Sequence, residues 1–372
     1  MVCPVDKAGN NFAFICKKFY IQNIADELSG SSTYTIYNQD EKTLVKKFLA
    51  LSKKIHIPIS ILSFPFLYMT PKLHKTPVGF RYICSTVYNI RDGFDRQLQK
   101  HLKKILNILK FKYKNSGLFW IIDNSIEILK DIKNRNIENL QTLDFENLFT
   151  NIDLENLLDA LIGVYVLIQD TYRDISLDDF RDLCRCCIYN NYIKNGSQLY
   201  VQKRGIGMGT VFSSTAANLF LFYYEYEFCK SNPMDFIAYR YIDDLLIINL
   251  NCDFSTIAAN IYPNSLNLIK TSDSDKIVNF LDIHIKVDMD LICTSIYDKR
   301  CDFPFEVITF PHWNTNLHKR IFSNLITSQV LRILRINSSN YNINTSIFKL
   351  RAKLFYTNMF PIAFINKYTT SW

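Results

Sequence analysis

A chain of 372 residues, 48% of them hydrophobic, is long enough to bury one large or two moderate cores, which excludes an intrinsically disordered protein. Lys and Arg outnumber Asp and Glu by 43 to 35, and this surplus of +8 suits a polyanionic partner without requiring one. No apolar run approaches the length of a membrane span and the N-terminus lacks a secretory pattern, so we expect an intracellular protein without a membrane partner.

The first hundred residues are predicted to contain a short strand, a helix and a basic hairpin. Gly9-Asn10 indicates a turn that leads into an apolar strand, and residues 44–55 have the spacing of an amphipathic helix. Prolines and a glycine in residues 68–85 predict a β-hairpin whose cations are Lys72, His74, Lys75 and Arg81. Clustered cations on a rigid hairpin can bind a triphosphate, and the alternative is an ordinary basic surface loop.

In the middle of the chain, candidate functional residues fall on predicted helices and strands. Residues 101–114 predict a helix with lysines on its outer faces, which fits a nucleic-acid-facing helix and a surface helix equally well. Residues 140–153 predict a strand that ends at Asp144, followed by a helix from about Asn151 with the capping-box spacing Thr150-x-x-Asp153. A carboxylate at a strand end is well placed to hold a metal, although it can also be an ordinary acid.

A glycine-rich loop follows a strand at residues 199–210, and a helix rich in small residues is predicted over residues 211–221. Glycines permit close approach of the backbone, and small side chains leave room for a flat ligand such as a base pair. Tight helix packing is the alternative interpretation. The glycine spacing matches neither a phosphate-binding P-loop nor a dinucleotide fingerprint.

Two adjacent carboxylates, Asp243 and Asp244, stand between apolar segments that read as two strands, so we expect them at the tip of a tight hairpin. Two like charges at the end of a buried hairpin are costly unless a cation or water reaches them. Taken alone, the pair is also compatible with a solvated turn. Beyond it, Lys270 and Lys276 precede a predicted strand at residues 279–285, and the chain from about residue 290 is basic and helical.

The order of these motifs resembles that of reverse transcriptases over roughly residues 60–335. The variants are most similar to those of Penelope-like retroelements, a group related to telomerase, and the N-terminal Asp6-Lys7 also resembles a motif of that group. The matching pieces are Pro-Lys-Leu-His-Lys at 71–75, Leu-Phe-Thr-Asn-Ile at 148–152, Met-Gly at 208–209 with Ala-Asn-Leu-Phe at 217–220, and Asn-Phe-Leu-Asp at 279–282.

The resemblance implies an α+β right-hand polymerase with fingers, an RRM-like palm built on an antiparallel sheet, and a helical thumb. The implied divisions are an N-terminal region and fingers at 1–115, the palm at 116–290, and a basic helical thumb at 291–372. The implied activity is RNA-directed DNA synthesis in retroelement replication, with an RNA template, a DNA primer and dNTPs as partners. The family resemblance also implies a nuclear location.

The resemblance assigns roles to individual residues. Asp144, Asp243 and Asp244 would be the metal ligands for two Mg²⁺ ions, with Mn²⁺ as the alternative. Asp244 would support the site more than it would bind a metal directly. Lys270, or else Lys276, would be the lysine that protonates pyrophosphate. The implied dNTP-binding residues are Lys72, Arg81, Phe145, Phe149, Gly207, Met208 and Gly209, with Phe149 as a steric gate against the ribose 2′-hydroxyl. The implied nucleic-acid-binding residues are Lys75, Tyr241 and Asn218.

Some features depart from the family pattern. Ser213-Ser214 stands where many relatives have Ser-Pro, and the chain ends without the Gly-Ile-Tyr…Tyr-Ile-Gly endonuclease that some members carry. We therefore expect either an endonuclease-lacking type or a truncated element copy, primed by an existing 3′ end. A catalytically inactive, nucleic-acid-binding descendant and a template-independent nucleotidyltransferase remain alternatives.

Overall fold

The structure, a computed structural model, describes residues 1–30, 32–85, 88–133, 135–233, 235–288 and 291–370. The predicted palm–thumb boundary at residue 290 and the terminal Trp372 lie outside these residues. No helix within the described ranges is long and apolar enough to cross a bilayer.

The bounds of the α-helices and β-strands are as follows. The helices are α1 Lys17–Gly30, α2 Glu41–Lys54, α3 Asp92–Tyr113, α4 Ile126–Ile132, α5 Leu148–Asn151, α6 Leu154–Val166, α7 Leu177–Tyr189, α8 Ser213–Ser231, α9 Phe254–Ile261, α10 Lys319–Ile336, α11 Asn340–Ala352 and α12 Ile362–Thr369. The strands are β1 Val2–Val5, β2 Ala8–Phe14, β3 Tyr34–Ile36, β4 Leu67–Lys72, β5 Gly79–Cys84, β6 Leu140–Glu146, β7 Tyr192–Asn195, β8 Gln198–Gln202, β9 Ile237–Tyr241, β10 Asp244–Ile248, β11 Asn267–Lys270, β12 Ile277–Phe280, β13 Ile283–Asp288 and β14 Leu291–Ile296.

A four-stranded antiparallel sheet with the order β11-β6-β10-β9 forms the centre of the molecule. Leu245 to Ile248 on β10 are fully buried because both faces of this sheet are covered. One face packs on the helices α3, α6, α7, α8 and α9, and the other packs on α4 and the sheet β12-β13-β14. The predicted α+β class with an antiparallel central sheet is therefore confirmed.

Smaller units surround the central sheet. The hairpin β4–β5, the sheet β3-β8-β7 and α1 share one apolar cluster, and the N-terminal hairpin β1–β2 packs against β4. The helices α10, α11 and α12 enclose a separate core around Phe322, Leu354 and Phe360. The C-terminal part therefore has its own packing, as its helical sequence pattern predicts.

Several predicted turn, strand and helix boundaries differ from those in the structure. The N-terminal turn lies at Asp6-Lys7, and Gly9-Asn10 is inside β2. Strand β6 continues two residues past Asp144. Asp153 itself is the N-cap of α6, where it accepts hydrogen bonds from the backbone amides of Glu155 and Asn156, so the long helix begins at Leu154.

The strand predicted at residues 279–285 is in fact two strands, because the chain reverses at Leu281-Asp282, where Leu281 has a φ of 54°.

The small-residue face of α8 packs inside the protein. Ala216 and Ala217 are fully buried in the core cluster that includes α6, which agrees with tight helix packing rather than with an open ligand surface.

Candidate active site

Three carboxylates meet at one end of the central sheet. Asp244 begins β10 and lies directly opposite Asp144 of β6 in the antiparallel register. Asp243 occupies the two-residue turn between β9 and β10, and its carbonyl oxygen accepts a hydrogen bond from the backbone amide of Phe145 at 3.3 Å. The predicted hairpin is confirmed, and the fold brings together acids that are a hundred residues apart in sequence.

Burial and mutual repulsion dominate the electrostatics of this cluster. Burial, reinforced by the negative charges of Asp243 and Asp244, raises the pKa of Asp144 to about 6. Burial also raises the pKa of Asp244, against the opposing charge of Lys299, whose Nζ lies 4.0 Å from Asp244 Oδ2. One carboxyl oxygen of Asp144, Oδ1, is buried and accepts no hydrogen bond. The site therefore favours the arrival of positive charge.

The donor chemistry of the cluster suits a hard divalent cation. Within the described ranges, no three His, Cys, Asp or Glu side chains already stand in a metal-binding arrangement. Carboxylate oxygens are nevertheless the ligands that Mg²⁺ prefers, and the unpartnered Oδ1 of Asp144 offers a free lone pair. The three aspartates thus fit Mg²⁺ by ligand type.

The raised pKa of Asp144 gives a pH-dependent stability. A carboxyl group with a pKa of about 6 in the folded state and an ordinary value of 3.8 when unfolded binds its proton more tightly in the folded protein. Its contribution therefore favours folding at low pH and is lost as the pH rises through about 6. In EDTA, Asp144→Asn should melt at least about 2 °C above wild type near neutral pH, with the difference vanishing near pH 4. Melting curves at several pH values test this, and a constant difference would contradict it.

A buried ion pair supports the turn that carries Asp243. The guanidinium of Arg240 and the carboxylate of Glu225 are both fully buried, with Nε–Oε1 at 2.5 Å and Nη2–Oε2 at 3.0 Å. Tyr262 donates a second hydrogen bond to Glu225 Oε1 at 2.9 Å. Arg240 Nη1 donates to the carbonyl oxygen of Ile242 at 3.0 Å, and Ile242 has a left-handed φ of 56°. This network holds a strained backbone at the tip of the hairpin.

Asn218 belongs to that network. Its side-chain oxygen accepts a hydrogen bond from Arg240 Nη1 at 2.8 Å, and its carbonyl oxygen accepts one from Nη2 at 3.1 Å. The structure thus gives Asn218 a part in positioning the hairpin, while its predicted contact with nucleic acid stays a prediction. Tyr241, beside the turn, is 36% exposed, and Lys75 is exposed on the basic hairpin, so both are accessible to a polymer.

The predicted basic hairpin exists as β4–β5, with Lys72 opposite Gly79 and Arg81 opposite Thr70. Burial, together with the neighbouring charge of Arg81, lowers the pKa of Lys72. Arg81 Nη1 lies 3.1 Å from Oδ1 of Asp6, which is buried. The two residues predicted to bind a triphosphate are therefore close together and linked to the N-terminal hairpin.

The glycine loop lies between the basic hairpin and the predicted steric gate. The backbone amide of Cys84 donates to the carbonyl oxygen of Met208 at 2.8 Å, and the amide of Ile206 donates to that of Phe149 at 2.8 Å. Gly205 has a φ of +73°, and a Cβ there would lie 2.6 Å from the carbonyl oxygen of Phe149. This close approach requires glycine and fixes the backbone that bears the Phe149 ring, which is half-buried.

Phe145 and Lys270 do not reach the carboxylate cluster. The Phe145 ring is 3% exposed and packs edge-on against Tyr262, with ring centroids 4.9 Å apart. Lys270 pairs with Leu143, and paired residues project to the same face, so it lies on the face opposite Asp144. Neither side chain faces Asp144, and their predicted roles in dNTP binding and catalysis stay predictions. Lys276 binds the carbonyl oxygen of Glu138, before the start of β6, and is also away from the cluster.

Sequence reasoning missed four residues of the site. Glu225 pairs with Arg240 and accepts a hydrogen bond from Tyr262. Lys7 and Lys299 supply positive charge that opposes the increases in the pKa values of Asp144 and Asp244. The Asp-Lys pair at the N-terminus was the available indication for Lys7. Lys299 lies in an unremarkable loop sequence, and its location depends on the fold of the C-terminal part.

The structure is similar to that of telomerase from Candida albicans in complex with a TWJ fragment of telomeric RNA. The TM-score is 0.65 at 14% sequence identity, covering 100% of this chain and 67% of that chain. Apo telomerase from Candida tropicalis, truncated from the C-terminal domain, gives a TM-score of 0.55 at 14% identity, covering 78% of this chain and 63% of that one. The chain thus spans about two thirds of the length of these telomerases. No protein-family model and no curated protein matches the sequence.

These likenesses, together with the antiparallel sheet and its hairpin, define a reverse-transcriptase-like, right-hand polymerase fold. The predicted fold class is confirmed at this level. The domain boundaries and the roles of individual residues stay predictions.

Proposed function

We propose that the protein is an RNA-directed DNA polymerase that adds dNTPs to a primer 3′ end. The observation that carries the proposal is the meeting of Asp144, Asp243 and Asp244 at one end of the central sheet, within a reverse-transcriptase-like fold. The basic residues Lys72 and Arg81 lie together on the hairpin β4–β5. Negative and positive clusters of this kind are what an in-line phosphoryl transfer needs.

Asp144 and Asp243 would hold two Mg²⁺ ions, supported by Asp244, and the bound ions would supply Lewis acidity to the primer hydroxyl and to the leaving pyrophosphate. The protein's own contribution is alignment. Arg240 fixes the turn of Asp243, and the raised pKa values of Asp144 and Asp244 reflect a cluster that becomes fully ionised when positive charge is present.

In this proposal, different residues around the carboxylates bind different parts of the nucleotide. Lys72 and Arg81 bind the triphosphate, Lys as a point charge and Arg through two parallel hydrogen bonds. The loop containing Gly207, Met208 and Gly209 lies against the end of β5 and forms the floor beneath the new base pair. Phe149, fixed by its backbone contact with Ile206, excludes a 2′-hydroxyl by collision with its ring.

Phe149→Ala should lower discrimination against rNTPs by at least about tenfold, because removing the ring opens space for the 2′-hydroxyl. The measurement is the ratio of kcat/KM for dTTP to that for UTP in primer extension. Phe111→Ala is the matched control, since the Phe111 ring is 93% exposed. An unchanged ratio in Phe149→Ala would remove the steric-gate assignment.

An RNA template would be held mainly through its backbone charge and A-form shape, so binding should weaken as salt increases. The motif order resembles that of Penelope-like retroelements, and we propose a role in retroelement replication in the nucleus. There, a chromosome end or a nick would supply the primer 3′ end. The similarity to a telomerase solved with RNA supports an RNA partner.

The proposal is tested by extension of one primer annealed to an RNA template, to a DNA template of the same sequence, and without a template. We expect extension in Mg²⁺ that copies the RNA sequence. Extension without a template would indicate a terminal nucleotidyltransferase instead. Binding of the RNA–DNA hybrid without any extension would indicate a nucleic-acid-binding protein that has lost catalysis.

A further inference from the structure

The turn between β1 and β2 is strained. Lys7 has a φ of +60°, a left-handed conformation that a residue with a Cβ rarely adopts. The backbone amide of Asp6 donates to the carbonyl oxygen of Pro71 at 3.0 Å, so the turn is fixed against the start of the basic hairpin. Strain that is held in place by neighbouring structure commonly marks a functional position.

Asp6 is buried at the base of this turn. The residue is 7% exposed, its Oδ1 lies 3.1 Å from Arg81 Nη1, and its Oδ2 is buried without a hydrogen-bond partner. A buried carboxylate with one free oxygen is costly unless it serves a neighbouring cation. Here it holds one edge of the guanidinium and restricts the directions in which Arg81 can point.

Lys7 is exposed and follows directly after Asp6, whose carboxylate contacts Arg81 and whose backbone amide is bound to Pro71. The turn that carries Lys7 therefore lies beside the basic hairpin β4–β5. A triphosphate bound by Lys72 and Arg81 would lie next to this turn.

We propose that the Asp6-Lys7 turn is part of the nucleotide site, with Lys7 contacting the triphosphate and Asp6 orienting Arg81 toward it. The inference rests on the proposed polymerase function. It explains why a lysine occupies a turn position that glycine would occupy at lower cost. It also supplies a third cation for the triphosphate, in a site that Lys270 and Lys276 do not reach.

The experiment compares Lys7→Gly, Lys7→Arg and Asp6→Asn with wild type, and uses Lys46→Gly as a control for loss of an exposed lysine. Lys46 lies on the outer face of α2. The readouts are KM for dTTP, Kd for the RNA–DNA hybrid, dTTP binding to a hybrid with a dideoxy-terminated primer, and the melting temperature. The terminated primer separates nucleotide binding from turnover.

Lys7→Gly should raise KM and the dTTP dissociation constant about tenfold or more, with the hybrid Kd within about twofold of wild type. Its melting temperature should equal or exceed that of wild type, because glycine relieves the left-handed turn. Lys7→Arg should keep most of the nucleotide affinity, Asp6→Asn should lose several-fold through Arg81, and Lys46→Gly should keep the nucleotide affinity of wild type.

Unchanged nucleotide affinity in Lys7→Gly, with active wild type, would overturn the inference and leave the polymerase proposal intact. Wild-type protein that binds the hybrid but neither extends it nor binds dTTP would overturn both. A loss of nucleotide affinity accompanied by an equal loss of hybrid affinity would indicate a general electrostatic effect and would also overturn the assignment.

Discussion

Asp243→Asn should reduce primer extension by about 1,000-fold or more, while leaving binding of the RNA–DNA hybrid nearly unchanged. The substitution keeps the size of the side chain and the backbone of the turn, whose support comes from Arg240. It removes the negative charge of the Asp243 side chain, which is the group proposed to hold a cation. Loss of charge at that position should therefore affect the chemical step rather than the fold.

The measurement is single-turnover extension on poly(rA)–oligo(dT), with a gel-shift assay for hybrid binding. Asp273→Asn is the matched control, because Asp273 is an exposed acid in the loop after β11, outside the carboxylate cluster. Extension by Asp243→Asn at the rate of wild type would contradict the assignment. A wild-type protein without extension that still binds the hybrid would favour the binding-only alternative.

Local patterns predicted the hairpin well because its determinants are local. Apolar runs on both sides of Asp243-Asp244 specify two strands, and only two residues remain to connect them. The position of Asp144 opposite Asp244 is a matter of register between segments a hundred residues apart. Local sequence does not determine that register, and the resemblance to reverse transcriptases implied only that these carboxylates share a metal site.

Motif order does not show which face of a strand a side chain occupies. Asp144 and Phe145 are neighbours on one strand, so their side chains point to opposite faces and cannot both face the same ligand. The strand period alone predicts this difference in facing. Lys270 was chosen by its place in the motif order, yet its pairing with Leu143 sets its face, and that pairing is not visible in a single sequence.

Other parts of the site depend on contacts that no local pattern encodes. Lys7 reaches the site because the N-terminal hairpin packs against β4, and Lys299 does so because the chain returns after β14. Arg240 and Glu225 are both charged, so composition alone would put them on the surface. Their complete burial is possible because each satisfies the other, with further hydrogen bonds from Tyr262 to Glu225 and from Arg240 to Asn218 and Ile242.

That ion pair gives the largest expected change in stability. Glu225→Ala should lower the free energy of unfolding by about 3–5 kcal/mol, because it leaves the buried guanidinium of Arg240 without a counter-charge and removes the acceptor of Tyr262. Glu227→Ala is the matched control on the same helix; Glu227 is exposed, and its loss should cost no more than about 0.5 kcal/mol. Urea unfolding of both variants measures the difference, and a loss below about 1 kcal/mol in Glu225→Ala would contradict it.

A double variant separates stability from positioning. Replacing both charges with apolar residues of similar size, Arg240→Met with Glu225→Leu, should recover much of the lost stability, since apolar replacement of a buried ion pair is often neutral or stabilising. It cannot restore the hydrogen bond from Arg240 to the carbonyl oxygen of Ile242, so the turn of Asp243 loses its support. Primer extension should therefore stay well below wild type although the fold is regained. Recovery of both would mean that the ion pair stabilises the core and does not position the carboxylate.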